Sequence, residues 1–383
     1  MNSQKIIVLL TVFALIGACS QRQETASVEQ EPEVKLIKID SHTIAESNLY
    51  YEAQNNKGVL ILTNPKAQNV VTYNLNTRQT NAFQKAGGNI DEYRYIYHNI
   101  NFFDDSTLII SDINKVMFFD IKGNFLQSVY LDRQGTYAPL TWIQVLRSDS
   151  SLIAINPPQG FTDSPEFYNS EKHPYLSKVV LNGKDSDITY FGSYHEEESI
   201  FATGKVKHKL AGSFLLSCDT VNHLLYAIQS IEPILYVYDY RTTQKVKATA
   251  LNLPDFKMLS TPMSDNTPII NKIADNFLYN EIVHIQLLHP DTLALLYNKA
   301  IDEDEMREFI RQNPHFPSIA PDLNYYLVLI TPKGKVLCSV YLPKEMGVPL
   351  CLLDSHTLLM REHSTENDEL KNQSRITVYK IAF

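Results

Sequence analysis

The sequence lacks a long apolar run and an excess of basic residues, and each absence excludes a class of protein. Its longest apolar stretch, Ile6–Ile16, is too short for a membrane-spanning helix, which needs about 20 apolar residues. There are 34 Lys and Arg against 43 Asp and Glu, which gives a formal net charge of −9. Because nucleic acids and anionic lipid surfaces are bound through clustered basic residues, we expect neither to be a direct partner.

Cysteine is also scarce, with four residues and no Cys-x-x-Cys pair, so neither a zinc knuckle nor a thioredoxin-like redox centre is predicted. Apart from Cys19, discussed below, the chain has Cys218, Cys338 and Cys351. Cys338 and Cys351 lie on adjacent predicted strands and either form a disulfide or remain small buried thiols. We favour the thiols, because both residues are set among apolar neighbours.

The motifs of several enzyme classes are absent as well, among them Gly-x-Ser-x-Gly and the phosphate-binding glycine loops. Ala86–Asn89 is too short for such a loop and predicts a turn. Tyr194–Glu198 lacks the spacing of a zinc site, and Asp302–Glu305 lacks that of a calcium loop and predicts the start of a helix. We therefore expect no cofactor, with a divalent ion kept open as an alternative.

The chain is rich in aromatic residues, with 22 Tyr and 17 Phe but one Trp. Aromatic side chains favour strands, and the 44% of hydrophobic residues is enough for a large core. Its 383 residues fit either two or three ordinary domains or one closed β architecture.

The N-terminus has the pattern of an export signal. Lys5 is followed by the short apolar run and then by Leu-Ile-Gly-Ala-Cys, which ends at Cys19. This ending resembles a bacterial lipobox, and the resemblance implies that Cys19 becomes the first residue of the mature protein and carries acyl chains such as palmitate. We therefore predict a lipoprotein signal peptide over 1–18, a flexible polar tether over 19–33 and a single folded domain over 34–383.

A unit of four short strands recurs along this domain. In its clearest copy, Tyr93–Phe103 is followed by strands within 104–112, Lys115–Asp120 and Phe125–Leu131. The shared signature is Asp-Ser/Thr, an apolar strand, and a second strand that ends in an aromatic residue before Asp or Asn. The Asp of this signature stands at Asp105, Asp149, Asp219, Asp291 and Asp354. An early copy at 58–74 makes six units.

Six such units predict an all-β protein, a β-propeller of six four-stranded blades with loop and short-helix insertions. A single twisted meander leaves both of its faces exposed, whereas radial packing buries each blade against its neighbours. We expect the strand Val34–Asp40 to pair with the last unit and close the ring, the insertions to lie on one face, and a helix at Ile301–Ile310. A row of separate β-sandwiches is the competing architecture.

The first strand of each blade lines the central channel of a propeller. Three segments are predicted to have this role: Tyr93–His98, Lys207–Lys209 and Glu281–His284. Four basic residues on these segments are candidates for a polar pocket that would bind an anion or a sugar: Arg94, His98, His208 and His284. The alternative is that they are ordinary surface or core groups.

The lipobox, the polar tether and about six Asp-Ser-x-Leu-x-Ile units together resemble the six-bladed β-propeller lipoproteins of Bacteroides-like bacteria, which include groups classed as domains of unknown function. The resemblance covers nearly all of the mature chain. It implies display at a membrane of the cell envelope, with the outer membrane favoured, and it supplies no catalytic residues. Ser20–Glu24 is only weakly acidic, which leaves the periplasmic and the outward-facing orientation both open.

From these patterns we expect a lipid-anchored binding or interaction module for a peptide, glycan or protein partner, without chemistry of its own. One alternative is an envelope hydrolase, lyase or lactonase with its site in the channel. Another is a passive structural subunit of an envelope complex, docked through the insertion around Phe161–Tyr175.

Overall fold

Almost all of the regular secondary structure that the computed structural model describes consists of antiparallel strands. The described residues are 35–133, 138–147, 150–156, 174–193, 196–199, 214–258, 274, 276–316, 320–363 and 372–382. Their 24 strands form six four-stranded sheets. The predicted signal peptide and tether, including Cys19, lie outside the described residues.

Each sheet is one blade, and the blades are numbered here by the chain order of their first strands. Blade 1 contains β2 (Tyr50–Gln54), β3 (Val59–Asn64), β4 (Asn69–Asn74) and β5 (Thr80–Gln84). Blade 2 contains β6 (Ile100–Phe102), β7 (Thr107–Ser111), β8 (Lys115–Asp120) and β9 (Phe125–Tyr130). Blade 3 contains β10 (Thr141–Leu146), β11 (Ser151–Ile155), β12 (Leu176–Asn182) and β13 (Asp185–Phe191). Blade 4 contains β14 (Phe214–Asp219), β15 (Leu224–Gln229), β16 (Ile234–Asp239) and β17 (Gln244–Ala250). Blade 5 contains β18 (Ile282–His289), β19 (Thr292–Asn298), β20 (Tyr325–Ile330) and β21 (Val336–Leu342). Blade 6 contains β22 (Val348–Asp354), β23 (Thr357–Arg361), β24 (Ser374–Ala382) and β1 (Lys35–Ile44).

The blades stand in a closed ring around their first strands. Each of β2, β6, β10, β14, β18 and β22 has the first strands of the two adjacent blades as neighbours. The predicted six-bladed β-propeller is therefore confirmed, and the row of β-sandwiches is not what forms.

Ring closure follows the sequence prediction too. Strand β1 pairs antiparallel with β24, from Lys35 opposite Ala382 to Ile44 opposite Ser374, so the N-terminal strand is the outer edge of blade 6. A bulge between Lys38 and Asp40 interrupts the pairing. The first and last strands of the domain thus belong to the same sheet, which joins the two ends of the chain by backbone hydrogen bonds.

The hydrophobic core lies between the blades. Six clusters of buried side chains each join two neighbouring blades, as with Leu60 and Leu359 between blades 1 and 6. Strands in the middle of a blade, such as β3 and β20, are buried on both faces, whereas the outer strand β5 alternates. Each blade thus buries both faces only because it has two neighbours.

Helix α1 (Glu303–Gln312) packs through the buried Met306 against a cluster that includes Ala274, Ile301 and Phe316, and its apolar face is the one that the amphipathic pattern predicts. Its first turn is acidic, which suits the positive end of the helix dipole. A one-turn 3₁₀ helix, Lys344–Met346, precedes β22. No helix among the described residues is long and apolar enough to cross a membrane.

The recurring Asp-Ser/Thr signature forms the turn between the first and second strands of a blade. The Asp219 carboxylate accepts from the Val221 N–H at 3.0 Å, and the Asp354 carboxylate from the His356 N–H at 2.7 Å. In blade 2 this role falls to Asp104, which accepts from the Ser106 N–H at 2.8 Å. The repeated hydroxyl residues are thus turn formers, as their repetition with the fold predicts.

One strand assignment from the sequence is wrong. Tyr93–His98 is not a strand, and the first strand of blade 2 is the shorter β6, which begins at Ile100. His98 has φ 53°, in the left-handed region, and the buried Asn99 side chain donates to the carbonyl oxygens of Tyr95 and Ser111. Polar side chains therefore hold this segment in place of a strand ladder.

The connections between strands differ sharply between the two faces of the ring. On one face every connection has two to five residues, whereas on the other they reach 31 residues, as at 251–281. This second face is the one at which the first strands of all blades begin. Much of the predicted insertions Asn156–Tyr175 and Asn266–Tyr279, including most of Phe161–Tyr175, lies outside the described residues, as does Lys207–Lys209.

Candidate functional site

Among the described residues, two cavities are found at the centre of the ring. The smaller, of about 300 Å³, opens where the first strands begin, and we call it the channel mouth. Its characteristic side chains are Tyr50, Tyr97, His98, Trp142, Glu281, Tyr325 and Arg361. The larger, of about 800 Å³, lies farther along the same strands and is called the amide channel. The size of the mouth is at the lower end of small-molecule pockets.

Polar side chains in the amide channel tie adjacent first strands together. These strands are not paired by backbone hydrogen bonds, so side chains span the gaps. The links are Asn101 Nδ2 to the Ile143 carbonyl, Gln144 Nε2 to the Leu216 carbonyl at 3.4 Å, the Leu287 N–H to Ser217 Oγ at 2.8 Å, and Gln54 Nε2 to the Leu352 carbonyl at 3.0 Å. Much of the polar lining of the amide channel is thus already used to hold the ring.

The channel mouth is walled by aromatic rings. Tyr50 and Tyr97 are 43% and 38% exposed and meet edge to face, with ring centroids 6.0 Å apart. Trp142 stacks on His98 with centroids 4.1 Å apart and an interplanar angle of 16°. Burial raises the pKa of Tyr97 to about 12, and nearby Tyr50 and Glu52 add to the shift. Tyr97 therefore stays neutral near pH 7 and offers both a ring face and a hydroxyl.

The stacked pair at the mouth rests on a strained backbone. His98 and Trp142 have φ angles of 53° and 52°, which residues other than glycine rarely adopt. The Trp142 N–H donates to the His98 carbonyl at 2.6 Å, so the two strained residues hold each other. Such conformations cost about 1–3 kcal/mol each and cluster at functional sites.

A buried carboxylate lies behind His98. The Glu52 side chain is 2% exposed, accepts from Thr63 Oγ1 at 2.6 Å and from the His98 N–H at 3.2 Å, and lies 3.5 Å from His98 Nδ1. A carboxylate and an imidazole often lie together in acid–base sites, although His98 Nδ1 itself makes no hydrogen bond to any described residue. The pair therefore has the composition of a general acid–base dyad.

Two opposite charges face the mouth without being paired. The guanidinium of Arg361 donates to the Leu49 carbonyl and lies 5.6 Å from the centre of the Tyr50 ring, while burial lowers its pKa. Burial raises the pKa of Glu281, a shift that the Ser230 hydroxyl opposes. Among the described residues neither side chain takes part in an ion pair.

Only part of the predicted site comes together. His98 and His284 both line the channel mouth, and His284 reaches the amide channel too, where its Nε2 lies 3.2 Å from Gln286 Oε1. Arg94 is exposed and lines a separate small cavity beside the 87–92 loop. His208 lies outside the described residues.

The most distinctive residues of the mouth were not identified from the sequence. Trp142 carried one usable signal, because it is the sole tryptophan and stands at the start of a strand. Arg361 and Tyr50 carried none, since Arg361 ends an ordinary strand pattern and Tyr50 begins one.

The remaining candidates from the sequence take structural roles. Glu196, from the acidic run 194–198, accepts from Lys245 Nζ at 2.7 Å and from the Tyr238 hydroxyl at 3.1 Å. Within the described part of the chain there is no group of three or more His, Cys, Asp or Glu placed to hold a metal ion. Among the described residues, Cys218, Cys338 and Cys351 form no disulfide, and burial raises the pKa of Cys351 to about 12.

The chain is similar in fold to solved structures from Bacteroides. A member of the DUF4221 family from Bacteroides vulgatus matches 92% of this chain and 99% of its own, with a TM-score of 0.62 and 10% sequence identity. A Bacteroides fragilis protein described as exported matches 93% of this chain and 98% of its own, with a TM-score of 0.52 and 13% identity. No family model matches the sequence, and neither does any curated protein. The expected resemblance is therefore confirmed for the fold.

Proposed function

We propose that the chain is a lipid-anchored module of the cell envelope that binds a small polar ligand, such as a peptide or glycan end, at the channel mouth. One observation carries this proposal: strands from all six blades begin around one cavity, where they bring aromatic rings and unpaired charges together. The long connections lie on this same face, and ligand sites are commonly built on loops that a rigid scaffold holds.

Trp142 makes binding directly measurable, because it is the sole tryptophan and lines both cavities. The full-length chain is titrated with amino acids, short peptides and oligosaccharides while tryptophan fluorescence is recorded. A ligand of the mouth changes the emission saturably and raises the melting temperature, since a ligand at 100 times its Kd adds about 2.7 kcal/mol of stability. If no compound has either effect, the proposal is wrong.

Two tyrosine variants localise the binding. Tyr97→Ala removes a wall of the mouth and is expected to weaken binding. Tyr130→Ala removes an exposed tyrosine of the outer strand β9 and is expected to leave it unchanged. Equal effects of the two variants would place the ligand elsewhere.

The Glu52–His98 pair supports a second candidate, a hydrolase or lyase at the mouth. A buried carboxylate behind an imidazole serves acid–base chemistry, and His98 faces the cavity. The ligands found by fluorescence are incubated with the chain, and the products are analysed by mass spectrometry. An enzyme forms product that disappears in His98→Gln while binding persists; intact ligand in the unmodified chain refutes this candidate.

The anchor is tested separately, because its support is the lipobox resemblance at Cys19. Cys19→Ala is expected to move the protein from the membrane fraction to the soluble fraction of the cell. If the variant still sediments with membranes, another attachment must hold it there.

A further inference from the structure

Arg361 and Glu281 line the same small cavity and carry opposite charges, yet they do not form an ion pair with each other. We infer that the channel mouth binds a small zwitterion, an amino acid or very short peptide, whose carboxylate meets Arg361 and whose ammonium meets Glu281. This inference rests on the proposed function and names the ligand class of that site.

The Arg361 side is built to receive a carboxylate. A guanidinium has five N–H donors, and the described contacts use one, toward the Leu49 carbonyl. The backbone of Arg361 is packed closely against Gly347. The φ of Gly347 is 102°, and a Cβ there would lie 2.1 Å from the Arg361 carbonyl oxygen. The remaining donors form the planar fork that binds carboxylates through two parallel hydrogen bonds.

The Glu281 side is suited to an ammonium group. Glu281 directly precedes β18, next to the aromatic wall, and its charge contributes to raising the pKa of Tyr97. Ammonium groups bind well where a carboxylate and aromatic ring faces are combined. The tyrosine rings and Trp142 offer such faces, and their apolar parts accommodate a side chain.

Tyr325 shows that both charges act on one region of the mouth. Burial raises the pKa of its phenol to about 12, and among the neighbouring charges Arg361 lowers this pKa whereas Glu281 raises it. The two charges therefore lie within electrostatic reach of one hydroxyl, although their own atoms are too far apart to pair. A ligand with separated charges bridges that gap.

A ligand with one charge fits the site less well. A simple anion would satisfy Arg361 but place a second negative charge near Glu281, and a simple cation would do the reverse. Charges out of bulk water are costly unless they are paired. The cavity of about 300 Å³ limits the ligand to roughly the size of an amino acid or dipeptide.

The test uses L-leucine, which does not fluoresce, against two analogues that each lack one charge. Leucinamide has no carboxylate, and N-acetylleucine has no ammonium. Because a hydrogen bond to a charged group contributes about 1.5–3 kcal/mol, each analogue is expected to bind about tenfold to a hundredfold more weakly than leucine in the Trp142 titration. Glycyl-leucine tests the spacing: tighter binding than leucine identifies a dipeptide as the better fit and supports the inference.

Two neutralised variants assign each charge to its partner. Arg361→Gln is expected to weaken leucine binding to the level of leucinamide, and Glu281→Gln to the level of N-acetylleucine. The matched control is Arg94→Gln, an exposed arginine in a different cavity, which should bind leucine as the unmodified chain does. Melting curves establish that each variant is folded, and either of the two variants alone suffices for the test.

Three outcomes would overturn the inference. One is that either blocked analogue binds as tightly as leucine, and another is that a folded Arg361→Gln or Glu281→Gln variant retains full affinity for leucine. The third is that sugars bind at the mouth and neither leucine nor the dipeptide does, which would leave the proposed binding module intact and refute only the zwitterion.

Discussion

Replacing Tyr73 with phenylalanine tests how the ring is held closed. Strand β1 carries His42, which is 3% exposed, and His42 Nδ1 lies 2.8 Å from the Tyr73 hydroxyl on β4 of blade 1. The second nitrogen of the imidazole, His42 Nε2, lies 3.2 Å from Asp40 Oδ2, and Arg78 donates to the Asp40 carboxylate at 2.9 Å. The closing strand of blade 6 is thus joined to blade 1 through a buried imidazole.

Tyr73→Phe removes one oxygen atom and leaves a buried ring nitrogen without its partner. Such an unsatisfied group costs about 1–3 kcal/mol. Unfolding entropy is about 2.1 cal/mol/K per residue near 60 °C, so a domain of about 350 residues has a total of about 0.7 kcal/mol/K. The expected fall in melting temperature is therefore about 1–4 °C.

Calorimetry or circular dichroism at neutral pH measures this shift. The matched control is Tyr130→Phe, which removes a hydroxyl from a tyrosine that is 55% exposed and is expected to change stability by less than about 0.5 kcal/mol. If both variants melt at the temperature of the unmodified chain, the hydrogen bond between His42 and Tyr73 does not stabilise the closed ring, and the reasoning above is refuted.

Three further predictions concern stability. Burial lowers the pKa of His42 and of His284 below the ordinary 6.5. As the pH falls, these histidines therefore bind protons in the unfolded chain before they do so in the folded chain. The free energy of unfolding is retained above about pH 6.5 and decreases below it. Urea unfolding from pH 8 to 5 measures this slope, and His284→Gln should make it shallower. Gly123→Ala should destabilise the chain by about 1–3 kcal/mol, because φ is 87° and the new Cβ would lie 2.3 Å from the Phe83 ring; an unchanged urea midpoint would contradict this. Asn101→Ala should lower the free energy of unfolding by about 1 kcal/mol, because it removes the hydrogen bond from blade 2 to blade 3. An unchanged free energy of unfolding in urea would mean that this channel amide does not stabilise the ring.

Most of the fold could be predicted because its determinants are local and repeated. Turn residues such as Asp219 bind the backbone N–H groups two or three positions later, so the same short pattern marks the same turn in several blades. The closing role of β1 was also predictable, since a strand outside the repeats needs a partner and the last unit has a free edge.

The segment before β6 could not be predicted in this way. Its aromatic alternation from Tyr93 to Tyr97 is typical of a strand, but the buried Asn99 side chain and the left-handed His98 take it out of the sheet. Tertiary hydrogen bonds overrode the local β propensity here, as the Ile96 N–H bonded to the Gln68 side chain illustrates.

The channel mouth was even less accessible to sequence reasoning, because its residues come from separate blades. His98 and His284 were chosen for their chemistry, and the fold brings them to one cavity, whereas Arg94 from the same reasoning lies elsewhere. Arg361 ends β23 of the last blade, and nothing near it in the sequence indicates that it lines the same cavity as Trp142 of the third blade.

The distribution of stabilising contacts explains how the mouth can keep unpaired charges. Six interblade clusters supply the core and the channel amides join the first strands below the mouth, and none of these contacts involves an ion pair between Arg361 and Glu281. A buried charge that stabilised the fold would be expected to have a partner inside the protein. Both residues line the channel mouth, where residues from all six blades meet, and that placement is the physical reason to regard the mouth as a site for a ligand.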